Sequence, residues 1–175
     1  HYTALVAMFY AMLGVVLSDG GFSFLFFWEL MTVASFLLIL FDAQRREVRR
    51  AALSYLIMMH IGFVLLVIGF VRLDAACGAA TFGALGDYFR TQPGLPLLLV
   101  FLAGFGMKAG LFPMHVWLPE AHPAAPSHVS ALMSGVMIKT GVYGILRVTA
   151  ALGEQPLLHT AGVILLAAGV VPGLW

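Results

Sequence analysis

Three ionisable side chains, Glu29, Lys108 and Lys139, interrupt long apolar stretches of this sequence. At a rise of about 1.5 Å per residue, Glu29 lies roughly 12 Å and Lys108 roughly 20 Å along a helix built from its own stretch. Lys139 is similarly deep, so all three are expected near the middle of a membrane. A charge at that depth costs on the order of 2.5 to 3.5 kcal/mol, and such residues typically mark ion pathways. We therefore predict that these side chains form a proton relay.

The charges of the three residues do not cancel, because one acid stands against two lysines. A structural ion pair that locks two helices together is the alternative for each residue taken singly. A single Glu-Lys pair would neutralise itself, but one acid and two lysines leave a surplus positive charge if all are ionised. A buried lysine removes that charge by releasing its proton. On the relay hypothesis, movement of Glu29 toward or away from Lys108 switches the lysine between holding and releasing a proton.

Further polar side chains lie near these charges. His60 is deep in an apolar stretch, either as a hydrogen-bonded core residue or as a relay group. Tyr143 follows Lys139 by four residues on one helical face, where it is placed to hydrogen-bond to that lysine or to water. Pairs of small residues four apart flank or precede the lysines and predict close helix packing there, or a water path. These pairs are Gly106 with Gly110 and Ser130 with Ser134.

A third group of polar residues, His115, Glu120, His122 and His128, falls in and around a proline-rich stretch. Their spacing matches no dedicated metal motif, so we predict no metal site and assign them to proton entry or to loop structure. The chain has one Cys and six His. This inventory argues against iron-sulfur, haem or Cys-based zinc sites, so no cofactor and no redox chemistry are expected within the chain.

The composition supports a membrane location for these charges. Hydrophobic residues make up 62% of the 175 residues and charged residues 10%, against roughly 25% charged in soluble domains. Together with a mean hydropathy of +1.01, these values exclude a soluble globule, a disordered chain and a nucleic-acid-binding protein. We expect a single membrane domain over 1–175. Because the sequence starts at His1 and stops within an apolar run, we interpret it as a fragment of a longer protein.

Apolar runs of about 20 residues, enough to cross roughly 30 Å of hydrocarbon, predict about six transmembrane spans in an all-α polytopic bundle. The predicted spans are 3–18, 22–41, 51–71, 95–121, 127–151 and a sixth that begins near Leu157. Residues 81–90 are predicted to form a short interfacial helix, and 119–126 a proline-rich loop. Four arginines in the loop at 42–50 predict that this loop, and the one holding Glu120 and His122, are cytoplasmic.

The fourth span is too long for one straight helix, since 27 residues would extend about 40 Å. Gly110 and Pro113 fall in its middle, and proline removes a backbone donor and clashes with the preceding turn. We therefore predict a break at these residues. A broken helix at membrane depth points to a transport site, because freed backbone groups are tolerated only against protein or a water-filled cavity. A plain proline kink is the alternative.

The residues around Lys108 and Lys139 resemble a known family. The tract from Lys108 to Gly144, KAGLFPMHVWLPEAHPAAPSHVSALMSGVMIKTGVYG, is similar to the proton-conducting, antiporter-like membrane subunits. That family comprises proton-pumping subunits of respiratory complex I, large subunits of multisubunit sodium/proton antiporters, and membrane subunits of formate hydrogenlyase and hydrogenase-4 complexes. The stretches FWELM, which holds Glu29, and YLIMMHIG, which holds His60, extend the resemblance over most of the chain. The segment PEAHPAAPSHVSALMSG most resembles the hydrogenase-4 and formate hydrogenlyase branch.

This resemblance implies a fold and a set of roles. In the family, a five-helix repeat with one broken helix occurs twice in inverted orientation, and this chain matches the first repeat plus the start of the second. Glu29 would be the glutamate at the subunit boundary, Lys108 the broken-helix lysine, and Lys139 the central lysine of the following helix. His60 matches a histidine of the hydrogenase-like branch. The second repeat, with its own broken helix and ionisable residue, is absent from this sequence.

The function expected from the residues and the resemblance together is proton translocation coupled to electron transfer in partner subunits. The chain would be a non-redox membrane subunit of an oxidoreductase complex in a bacterial or archaeal cytoplasmic membrane. Its expected partners are other membrane subunits, the lipid bilayer and protons, or Na⁺ in place of protons, with no nucleic acid. The alternatives are a complex I or sodium/proton antiporter subunit and, from a different class, a non-conducting membrane anchor.

Overall fold

The computed structural model describes residues 2–170 as helices joined by short turns. The first half of the chain forms α1 (Tyr2–Leu17), α2 (Gly21–Ile39), α3 (Arg46–Cys77) and the short α4 (Ala84–Thr91). The second half forms α5 (Gly94–Ala109), α6 (Leu118–Ala124), α7 (Ser127–Leu132), α8 (Ile138–Ala151) and α9 (Pro156–Val170). A π-helical turn, Met133–Met137, joins α7 to α8 without interruption. The all-α polytopic bundle predicted from the sequence is confirmed.

Four helical segments are long and apolar enough to cross a membrane: 21–42, 46–77, 94–124 and 127–151. The helices α1 and α9 are apolar but shorter. In α9 only the part up to Val170 lies within the described residues. Helix α3 is 32 residues long, which extends it beyond the predicted span 51–71 at both ends. Its first turns carry the arginine cluster as helix rather than loop, and Gly78, in the left-handed conformation at φ 70°, ends it.

The core of the bundle lies where α2, α3, α5 and α8 meet. Helix α2 packs against α1 and α3, and α5 packs against α3 and α8. Buried aromatic rings fill the centre, with Phe24 and Trp28 stacked at 5.3 Å and Phe105 against Trp28 at 5.4 Å. This arrangement puts one face of α2 directly against the end of α5.

Glycines allow the closest helix contacts, but not the glycines predicted from the sequence. A Cβ on Gly141 of α8 would come within 2.5 Å of the Ala109 backbone nitrogen, so α8 and α5 touch backbone to backbone there. Gly62 of α3 and Gly104 of α5 approach in the same way. At Gly106, by contrast, a Cβ would meet Met114. The missing side chain at Gly106 leaves room for the segment that follows the break in α5, not for a neighbouring helix.

The predicted break is present. Helix α5 ends at Ala109, and Gly110 adopts φ 70°, a conformation that glycine takes up without the steric penalty of a Cβ. The amide of Leu111 then bonds to the carbonyl of Gly106 at 3.0 Å, which closes the helix end as a Schellman-type cap. Pro113 follows directly and precedes a single 3₁₀ turn that leads into α6.

Two other sequence predictions need correction. The stretch 119–126, expected to be a loop, is helical up to Ala124 as α6. Its Pro119 stands in the first turn, where a missing amide hydrogen is tolerated. The helix expected at 81–90 begins at Ala84, and its apolar face packs against the bundle. Leu85, Tyr88 and Phe89 are buried and Phe82 joins the aromatic core next to Phe24, because α4 folds back onto the bundle.

Candidate functional site

Lys108 lies inside the bundle at the broken end of α5. Its side chain is 1% exposed. The Nζ atom donates a hydrogen bond of 2.8 Å to Oγ1 of Thr32 and lies 4.6 Å from the centre of the Trp28 ring. No carboxylate among residues 2–170 is within ion-pair distance of it. The broken helix therefore ends in a buried amine held by a hydroxyl group and an aromatic face.

The orientation of Thr32 is fixed by its own helix. Its hydroxyl donates to the carbonyl of Trp28 at 3.1 Å, one turn earlier in α2. With that hydrogen engaged, the oxygen presents a lone pair to Lys108. Thr32, and Ser35 three residues later, were not identified from the sequence. A signal was available, since Thr32 and Ser35 are polar residues three apart, on a helix of otherwise mostly apolar residues that also carries Glu29.

Glu29 contacts His60 rather than Lys108. Its Oε1 lies 3.0 Å from Nε2 of His60, and the two side chains are 22% and 49% exposed respectively. The other ring nitrogen, Nδ1, lies 3.0 Å from the carbonyl of Leu56. The second carboxylate oxygen, Oε2, is buried without a partner among the described residues. The sequence placed His60 deep in its span but did not indicate that it meets Glu29.

The Glu29 and His60 pair places a carboxylate oxygen and an imidazole nitrogen at hydrogen-bond distance. A carbonyl only accepts hydrogen bonds, so the contact of Nδ1 with the Leu56 carbonyl requires a hydrogen on Nδ1. A proton on either Nε2 or Oε1 would complete a hydrogen bond between the two groups. The pair is therefore suited to pass a proton from one side chain to the other.

The buried polar side chains of the described chain lie at the crossing of α2, α5 and α8. These side chains are Thr32, Ser35, Lys108 and Thr140. Ser35 pairs with the hydroxyl of the fully buried Tyr55 of α3 at 2.6 Å, and that hydroxyl also lies 3.4 Å from Sδ of Met137 in the π-helical turn. Hydroxyl groups thus connect α2 and α3 to the turn that precedes Lys139.

Lys139 is exposed, in contrast to Lys108. Its Nζ donates to the carbonyl of Ser134 at 2.9 Å, within its own helix, and Ser134 is exposed as well. The expectation of close packing around both lysines is therefore wrong for Lys139 within residues 2–170. No element of the described chain covers this face.

Tyr143 does not bond to Lys139. Its hydroxyl donates to the carbonyl of Val16 at the end of α1, at 3.0 Å. One turn later, the guanidinium of Arg147 bonds to the carbonyl of Ser18 at 2.6 Å and to the Asp19 carboxylate at 2.8 Å. Both side chains point from α8 toward the turn between α1 and α2, so they join helices at that end of the bundle.

The residues of the proline-rich stretch do not form one cluster. His122 shares a hydrogen bond of 2.8 Å between Nδ1 and Oγ of Ser130, whereas Nδ1 of His115 is buried with no partner in the described part of the chain. Glu120 lines an open groove together with Arg45 and Arg50 of the arginine cluster. The acid and the arginines therefore lie at the same end of the bundle.

Comparison with known proteins identifies this architecture. Residues 18–173 match the family model described as NADH:quinone oxidoreductase/Mrp antiporter, TM. The chain belongs to this family. The match includes both lysines, the broken helix and the Glu29 and His60 pair. The protein is accordingly a multi-pass membrane protein of the antiporter-like class.

Individual relatives agree with the family assignment. An uncharacterized protein of Mycobacterium tuberculosis is 43% identical over 177 residues, which cover 98% of this chain and 27% of that protein. Hydrogenase-4 component B of Escherichia coli is 39% identical over 170 residues, covering 94% of this chain and 25% of that protein. The chain thus spans about a quarter of the length of these relatives.

A solved structure shares the fold. A chain from the membrane-bound sulfane sulfur reductase, an archaeal respiratory membrane complex, superimposes with a TM-score of 0.88 at 19% identity. The match covers 96% of this chain and 35% of that one. At this level of identity the likeness shows the helix arrangement alone.

Proposed function

We propose that this chain is part of the proton-translocating membrane subunit of a hydrogenase-4 or formate hydrogenlyase type complex. Electron transfer takes place in partner subunits, and this subunit moves protons without redox chemistry of its own. The observation that carries the proposal is the burial of Lys108 at the end of a broken helix. Within residues 2–170 no carboxylate contacts this amine, so the lysine does not serve there as half of a structural ion pair. A buried amine of this kind is suited to take up and release a proton.

The relay begins at Glu29 and His60, which are placed to pass a proton between them. Lys108 is the buried acceptor, and the Glu29 carboxylate pairs with His60 rather than contacting the lysine directly. Lys139, on the helix that touches α5 at Gly141, passes the proton on toward the part of the subunit that follows this sequence. A proton that leaves the Glu29 and His60 pair changes its charge and therefore the field at Lys108.

The partners of this subunit are other membrane proteins of the complex. Two features support this. Glu29 and His60 are partly exposed in the middle of apolar grooves on α2 and α3, and lipid would leave such polar groups without partners. The hydrogenase-4 relative is named as one component of a larger assembly. We place the complex in a bacterial or archaeal cytoplasmic membrane.

The test of the relay is a pair of lysine substitutions in the complete complex. Lys108→Met and Lys139→Ala should each abolish proton movement into proteoliposomes while the complex still assembles. The matched control is Arg72→Met, which removes an exposed cation from the end of α3 and should leave proton movement unchanged. Undiminished pumping by Lys139→Ala or Lys108→Met would refute the relay.

Three alternative functions compete with this proposal. The family description names both quinone oxidoreductases and Mrp antiporters, and transport that requires Na⁺, or no partner electron transfer, would favour an antiporter subunit. Co-purification with a nickel-iron subunit would favour the hydrogenase type over complex I. A non-conducting anchor would tolerate both lysine substitutions, because it has no need of ionisable groups at membrane depth.

A further inference from the structure

The groups that contact the buried amine of Lys108 differ from those that usually surround a buried charge. A buried ammonium group is strongly disfavoured unless nearby groups replace the water that it has lost. Carboxylates usually do this, but in the described chain the groups in contact with Nζ are the Thr32 hydroxyl and the Trp28 ring. Both lie on α2, one turn apart. The amine is thus enclosed by one helix that offers a lone pair and a π face.

The other titratable groups around Lys108 are engaged elsewhere. From α2 and α3, Glu29 and His60 pair with each other, and Tyr55 bonds to Ser35. No hydrogen bond or ion pair within residues 2–170 joins Glu29 to the lysine.

On the other elements packed against α5, the charged groups have their own contacts, and His159 of α9 is exposed. On α8, Lys139 bonds to its own backbone and Arg147 to the Asp19 turn. On α4, Asp87 and Arg90 form an ion pair with each other. The buried His115 follows the break in the next 3₁₀ turn, and no hydrogen bond or ion pair within residues 2–170 joins it to Lys108. Direct contact with the amine is therefore left to Trp28 and Thr32.

We propose that Trp28 and Thr32 are positioning residues that stabilise the charged form of Lys108 and thereby determine how readily it releases a proton. This inference rests on the proposed relay and adds the residues that adjust it. The ring face attracts a cation but not a neutral amine. The hydroxyl oxygen, held with its lone pair toward Nζ, makes a stronger bond to the ammonium than to the amine. Both contacts favour proton retention.

The surroundings of the two residues suit this role. Trp28 is fixed between Phe24 and Phe105, so the ring does not have to be ordered when the lysine becomes charged. Thr32 is fixed by its bond to the Trp28 carbonyl. A movement of α2 relative to α5 would withdraw both contacts at once. Proton release at Lys108 is then linked to the packing of one helix pair.

The experiment follows the charge of Lys108 directly. The full-length protein, reconstituted in lipid with ¹⁵N-labelled lysine, is titrated while the Nζ resonance is recorded by solid-state NMR. The Lys108 signal is the one absent from the spectrum of Lys108→Arg. The variants are Trp28→Leu and Trp28→Phe, which remove or keep a ring, and Thr32→Val and Thr32→Ser, which remove or keep a hydroxyl. Ser35→Ala, one turn further along α2, is the control.

We expect the titration midpoint to fall by about one pH unit in Trp28→Leu, a tenfold loss in proton affinity, because the cation loses its π face. Thr32→Val should lower it as well, by a smaller amount. Trp28→Phe should lie between Trp28→Leu and the unsubstituted protein, and Thr32→Ser and Ser35→Ala should leave the midpoint in place. The pH profile of proton transport should move in the same direction.

Unchanged midpoints in Trp28→Leu and Thr32→Val would overturn the inference, as would equal shifts in Ser35→Ala. If Trp28→Leu does not fold, Trp28→Phe and the nearly isosteric Thr32→Val decide the matter. The proposed relay is tested separately, by Lys108→Met. Transport that survives Lys108→Met refutes the relay, whereas lost transport with unmoved midpoints refutes only the role of Trp28 and Thr32.

Discussion

Lys108 and Lys139 have the same chemistry but opposite surroundings. The first is enclosed by α2 and α5, with its amine on a hydroxyl group and a ring. The second is exposed and bonds to a carbonyl of its own helix. The chain spans about a quarter of the length of the relatives that it matches, and no element among residues 2–170 covers the Lys139 face. The depth of a lysine along its membrane span therefore does not show whether other helices of the chain bury it.

The glycines near the two lysines show the same contrast. Gly141 touches the backbone of α5 just after Lys108, whereas Gly135, in the π-helical turn before Lys139, has no heavy atom within 4 Å of a Cβ built on it. A π-helical turn is frequently found at functional sites and allows local rearrangement. The surroundings of Lys108 are therefore closely packed and those of Lys139 open, a difference that substitutions can measure.

The largest effect is expected at the packed glycine. Gly141→Ala would drive a methyl group to 2.5 Å from the Ala109 backbone nitrogen, so α5 and α8 must separate, at a cost of about 3 kcal/mol. Gly135→Ala should be neutral or stabilise by up to ~1 kcal/mol, since alanine has the higher helix propensity. Thermal unfolding of the full-length protein in detergent measures both. Equal stability of the two variants would remove the contrast.

A smaller effect is expected when each lysine is enlarged without loss of charge. Lys108→Arg introduces a planar guanidinium into a fully packed space and should destabilise the protein by about 2 kcal/mol through overpacking. Lys139→Arg has room on an exposed face and should be tolerated within about 0.5 kcal/mol. The measurement is the same unfolding experiment. A well-tolerated arginine at 108 would contradict the close packing described for that site.

The smallest effect concerns two serines, Ser35 on α2 and Ser134 before Lys139. Ser35→Ala removes the partner of the buried Tyr55 hydroxyl and should cost about 1 kcal/mol. Ser134→Ala removes an exposed hydroxyl that bonds only within its own helix and should change stability by less than about 0.5 kcal/mol. Chemical denaturation in mixed micelles resolves this difference. A loss at Ser134 as large as that at Ser35 would contradict the open surroundings described for Lys139.

Much of the fold was predictable because membrane-spanning helices can be recognised from the local sequence. A span needs about 20 apolar residues, and the break at Gly110 and Pro113 follows from backbone chemistry alone. The errors were at boundaries and connections. Helix α6 formed through a proline-rich stretch. Its Pro119 falls in the first turn, where a missing amide hydrogen is tolerated, but Pro123 lies inside the helix. The π-helical turn was not foreseen, since nothing in a local pattern distinguishes one extra residue per turn.

The candidate site was predictable only in part. Charges at membrane depth are costly, so Glu29, Lys108 and Lys139 stood out by type and position. Their partners did not, because contacts between helices depend on how those helices rotate and cross. His60 was noted but not its bond to Glu29, and Thr32 was not noted at all. Tyr143, placed near Lys139 by helical spacing, instead reaches Val16 on another helix.

The sequence by itself determined that this is a helical membrane protein with a broken helix and ionisable groups at depth. Those properties follow from the cost of placing charges and unpaired backbone groups in hydrocarbon, which residue type and spacing express directly. Only the tertiary structure decided that Lys108 is held by Trp28 and Thr32, that Glu29 pairs with His60, and that Lys139 is exposed. Such pairings depend on contacts between helices that are distant in sequence. Rotating one helix about its axis by one residue, about 100°, would turn different side chains toward its neighbours.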